Sequence, residues 1–66
     1  MLETKEYTSG SRVEVTFTGS DVEVIRAVNS FLNSYSNPAY DGSLASFEKT
    51  GYNTWKAVCK RYSNSD

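Results

Sequence analysis

The spacing of apolar positions changes period along the chain, and the changes mark out the elements. Over residues 12–18, Val13, Val15 and Phe17 alternate with Arg12, Glu14, Thr16 and Thr18. A period of two puts the three apolar side chains on one face, which predicts a half-buried strand. Beyond Gly19 the period lengthens. Placed at about 100° per residue, Val24, Ile25, Ala27, Val28, Phe31, Leu32 and Tyr35 share one arc. Glu23, Arg26, Asn29, Ser30, Asn33 and Ser34 take the opposite one, with Val22 the exception. One amphipathic helix is predicted over residues 21–36. Its start is written locally: Ser20-Asp21-Val22-Glu23 matches a capping box, and Asp21 and Glu23 set negative charge at the positive end of the helix dipole. Pro38 ends it, because a residue before proline disfavours helical geometry.

The flanking segments carry weaker patterns. Residues 3–8, with Tyr7 among Thr, Glu and Lys, suit an exposed edge strand, followed by the turn cluster Ser9-Gly10-Ser11. Residues 37–43 read as loop, with Asp41-Gly42 as its turn dipeptide. Residues 44–49 follow as a strand with Ala45 and Phe47 on one face, and residues 50–53 make a second turn. Residues 54–62 admit two readings. As a helix, Trp55, Val58, Cys59 and Tyr62 form a stripe, and Lys56, Lys60 and Arg61 face water. As a strand, Trp55, Ala57 and Cys59 share one face while Lys56, Val58 and Lys60 share the other. The β-type residues, the short length and the preceding Gly51 turn favour the strand.

The expected fold is therefore α+β: a small two-layer β-β-α-β-β sandwich with one helix packed on an antiparallel sheet, or, on the other reading of residues 54–62, ending in a short helix. Its inner layer is expected to hold Val13, Val15, Phe17, Ile25, Val28, Phe31, Leu32, Phe47 and one face of the last strand. The second face of the sheet has no helix to cover it.

Length limits how stable this can be. The chain has 66 residues and 7.4 kDa, enough for a single domain spanning 1–66, with short flexible ends expected at 1–3 and 63–66. Its strong core formers are six Val, three Leu, three Phe, Ile25 and Trp55. A chain of this size buries only about 60% of its unfolded surface. With a single Cys it has no internal disulfide, and oligomerisation is the usual remaining support. A homodimer is expected on that ground.

Composition removes most chemistry. There is no His, so no Ser-His or Cys-His pair and no imidazole ligand. The four Gly are isolated, which excludes a phosphate loop, and Asp41-Gly42 lacks the acids of a calcium loop. No catalytic residue, cofactor or metal is expected. Cys59 has Lys56, Lys60 and Arg61 near it in sequence, which would lower a thiol pKa if it were exposed; a buried structural Cys is the plainer reading. Asp41 and Glu48 are isolated acids that nothing in their spacing links. The polar first ten residues carry no secretory signal, no sequon occurs, and no apolar run is long enough to cross a membrane. A cytoplasmic protein is expected, of the size of a small phage or bacterial accessory protein.

Charge is uneven. The net charge is -1, yet residues 49–62 hold Lys49, Lys56, Lys60 and Arg61 and no acid. Together with Tyr52, Trp55 and Tyr62 they form a basic-aromatic stretch that suits a partner surface. Two functions follow. The first is a non-catalytic binding or regulatory module working through protein contacts, using exposed tyrosines such as Tyr7, Tyr40, Tyr52 and Tyr62. The second is nucleic-acid binding through residues 49–62, where cations would meet phosphates and rings would meet bases. The acidic pI of about 5.3 weighs against the second.

Overall fold

The structure is a computed structural model that describes residues 1–36 and 38–63. Four strands and one helix follow in the order β1 (Glu3–Ser9), β2 (Arg12–Gly19), α1 (Asp21–Ser34), β3 (Ser43–Gly51) and β4 (Thr54–Tyr62). The expected β-β-α-β-β order and α+β class are what the chain adopts. All neighbouring strands are antiparallel, and the sheet order is β1-β2-β4-β3. The helix thus carries the chain from β2 over to the far edge, and β4 returns to fill the slot between.

Both hairpins turn at positions that allow left-handed backbone. Gly10 has φ 61° between β1 and β2, and Asn53 has φ 56° between β3 and β4. Glycine adopts this region freely, and Asn tolerates it better than other residues with a side chain. The helix begins with the reciprocal cap seen in the sequence. The Glu23 amide donates to Ser20 Oγ at 3.4 Å, and the Ser20 amide donates back to Glu23 Oε1 at 3.1 Å. These bonds satisfy donors that the first turn leaves open.

The core lies between α1 and the two central strands. Val13, Val15 and Phe17 of β2, Ala57 and Cys59 of β4, and Val24, Val28 and Phe31 of α1 are buried. Ala27, Leu32, Tyr35 and Trp55 pack around them. Phe31 meets Phe17 edge-on, with ring centroids 6.3 Å apart.

Residues 54–62 form a strand, and the helical stripe is not realised. β4 is paired on both sides, to β2 and to β3, so the sheet uses the backbone groups that a helix would use internally. Ala57 and Cys59, both fully buried, are small enough to let α1 approach closely.

Three expectations about faces need correcting. Ile25 is 47% exposed and Phe47 39%, while Val24 takes the most buried helix position. The helix is centred on the line Val24–Val28–Phe31 over β2 and β4; Ile25 lies off that line, and β3 is the edge beyond it. Ala45 does not share a face with Phe47. The register shifts between Leu44 and Ser46, so Leu44 pairs with Cys59 and Phe47 with Ala57, and these two point to the helix side. The extra residue in a bulge reverses the alternation that simple counting assumes. The helix also stops at Ser34, short of the expected 36. At the ends, Glu3 already belongs to β1, and the Ser63 amide donates to Ser11 O; the rest of the expected tail, 64–66, lies outside the described residues. Residue 37 of the expected loop does as well.

Candidate functional site

The basic-aromatic stretch divides between the two faces of the sheet. On the helix side, Trp55 lies against Phe47 with ring centroids 5.3 Å apart, and Lys49 Nζ sits 5.9 Å from the Trp55 ring. Arg61 is on the same side. Its guanidinium carbon lies 4.4 Å from the Tyr35 ring and 5.9 Å from that of Tyr40, and Nη1 donates to Tyr62 O at 3.4 Å. Arg61 Nε is buried without a hydrogen-bond partner among the described residues. Tyr52 stands alone at the hairpin tip, 97% exposed. Lys56, Lys60 and Tyr62 alternate onto the outer face.

On that outer face, register interleaves acids with the cations. Lys60 pairs with Glu14 on one side and Ser43 on the other; Lys56 is opposite Glu48; Tyr62 is opposite Arg12; Tyr7 is opposite Glu14. The run without an acid in sequence becomes a mixed ladder in space. Antiparallel neighbours come from distant parts of the chain, so their charges cannot be read from one stretch.

The carboxylates and the thiol are placed apart. Asp41 lies in the loop before β3, at φ 49°, near the Lys60 row, whereas Glu48 lies at the Lys56 row. Four strand residues separate the two rows, about 13 Å. Cys59 is fully buried, and burial pushes its thiol pKa up. Lys56 and Lys60 point to the opposite face, and the Arg61 guanidinium packs against the Tyr35 and Tyr40 rings. Among the described residues no group of His, Cys, Asp or Glu gathers into a metal-binding set, and no helix is long and apolar enough to cross a membrane.

Two surfaces remain that sequence reading missed. One is an apolar strip along β3. Leu44 and Phe47 stand on the helix side of the sheet at 42% and 39% exposure. Ile25, 47% exposed, and Leu32, packed at the margin of the core, lie roughly 100–120° round the helix from Phe31. The other is an open pocket of about 180 Å³ lined by Arg12, Asp41, Ser43, Lys60, Arg61 and Tyr62, at the end of the sheet where β2 begins and β4 ends. Arg12 and Asp41 enter it from far away in sequence; the alternation of β2, which turns Arg12 outward, was the only available signal.

No protein-family model, curated protein or solved structure matches the chain.

Proposed function

We propose that this chain is a non-catalytic protein-binding module that acts as a homodimer, joined along β3. The supporting observation is the state of that edge. All nine residues of β3 are exposed, including Leu44 and Phe47, and the strand is one of the two sheet edges. An exposed edge with apolar side chains invites pairing with another strand. The opposite edge, β1, carries Glu3, Lys5 and Glu6 along seven residues, which is how sheets discourage such pairing. β3 carries one acid and one base, Glu48 and Lys49, and so has no net charge to repel a second copy. Its register shifts leave Ser46–Lys49 as the regular stretch for strand pairing, with the half-exposed Leu44 and Phe47 on its helix side. An isologous contact of this kind is the commonest way for small chains to assemble.

Sedimentation velocity at low micromolar concentration tests this. A species of about twice 7.4 kDa is expected, and Phe47→Glu, at an exposed position, should convert it to monomer without loss of helix. A wild-type monomer would remove the dimer. The ladder of Glu14 and Glu48 among Lys60 and Lys56 disfavours the nucleic-acid alternative. A gel shift with single- and double-stranded DNA and RNA at low salt would reinstate it if a complex formed.

A further inference from the structure

We infer that the pocket at the Arg12 end of the sheet binds a small oxyanion, a phosphate or a carboxylate. Arg12 and Lys60, on the outer face, line it together with Arg61, whose guanidinium packs on the Tyr35 and Tyr40 rings, and with one carboxylate, that of Asp41. This concentration of positive charge stands out in a chain whose net charge is -1. Arg12, Lys60 and Arg61 make no direct ion pair among the described residues. Among the described residues, the one ion pair joins the Met1 amino group to Glu23, at the far end of the helix. Glu14, although in register with Lys60, forms no ion pair with it. Arg12 and Lys60 stand near Asp41 and Glu14 without a direct ion pair to either, so their donors stay open to an anion, which would accept charge-assisted hydrogen bonds from them.

The walls are already in place. The Tyr62 amide donates to Tyr40 O at 2.7 Å and the Gly42 amide to Tyr35 O at 2.9 Å, so the loop is tied to both the strand and the helix end. Gly42 is needed for that approach: a Cβ there would lie 2.7 Å from Tyr35 O. Arg61 is held between the Tyr35 and Tyr40 rings and the Tyr62 carbonyl, with its Nε still lacking an acceptor. Ordering costs that would weaken binding are thereby reduced before a ligand arrives. At about 180 Å³ the pocket is well above the roughly 10–15 Å³ that one water needs. It has room for a tetrahedral or planar oxyanion, and the Ser43 hydroxyl at its wall is a further donor. Asp41 limits the affinity and gives the test its second direction.

The test is a titration of isotopically labelled protein, followed by amide chemical shifts, with inorganic phosphate and separately with acetate, at constant ionic strength and neutral pH. Saturable shifts are expected at Arg12, Ser43, Lys60, Arg61 and Tyr62, with Val24 and Val28 unmoved. The double variant Arg12→Gln/Lys60→Gln should weaken binding by about tenfold or more, and Asp41→Asn should strengthen it. Asn accepts the left-handed backbone of position 41, so this variant keeps the loop. Saturation by phosphate alone or by acetate alone supports the site and identifies the oxyanion. Linear, unsaturated shifts spread over all lysines, binding indifferent to the double variant, or weaker binding by Asp41→Asn would each overturn it. None of these outcomes depends on the dimer.

Discussion

Ser20 and Glu23 show how much a pair of residues can do locally. Their reciprocal bonds were legible in the sequence because a capping box spans four consecutive residues and needs no tertiary partner. Ser20→Ala should cost about 1 kcal/mol, read as a lower denaturant midpoint with an unchanged slope. Hydrogen bonds from the Ser20 backbone and hydroxyl also hold the Glu23 carboxyl below its ordinary pKa. A folded pKa below the unfolded one means the stabilisation is complete above the unfolded value and lost as pH falls through the folded one. Stability should therefore decline below about pH 4, and Glu23→Gln should flatten that acid limb in melts taken across the range. Cys59 is the contrary case. Its sequence neighbours are cations, yet strand alternation turns it away from Lys60 and under the helix, where its thiol is kept protonated.

Among the elements, β2 and α1 were readable because their periods are strong and each is long enough to show one. The hairpin turn at Gly10 was readable from its composition. β4 was open between two patterns, and pairing on both sides decided it. β3 was placed but mis-faced, since a bulge near Ala45 leaves no mark in the alternation. The loop before β3 depends on backbone contacts across the molecule. Gly42→Ala would set a methyl 2.7 Å from Tyr35 O and 2.8 Å from Tyr35 Cβ. Overpacking of this kind costs about 1–3 kcal/mol, so thermal melts of the variant should show a clear loss of stability, with the amides of Tyr35, Tyr40 and Tyr62 shifting most.

For the whole molecule, the balance is between a small core and open edges. Eight side chains are buried, and no buried polar or charged residue accompanies them among the described residues. Such a core leaves little stability to spare in a lone chain. If two copies associate through β3, the folded state gains from mass action, and the melting temperature should rise with protein concentration. Calorimetry over a hundredfold concentration range (about two decades) reads this directly, and a melting temperature independent of concentration would leave β3 without a second copy.

The sequence by itself determined the local facts: the β2 alternation, the helix and its cap, the turns, and the exclusion of imidazole and disulfide chemistry. Each depends on residue types within a few positions of one another. The tertiary structure decided which residues meet. The strand order β1-β2-β4-β3 sets Glu14 and Glu48 beside Lys60 and Lys56, turns the +4 stretch into a mixed ladder, and brings Arg12 and Asp41 to the pocket. Cross-strand neighbours are fixed by backbone pairing between segments far apart in the chain, and that pairing has no periodic signature within any one of them.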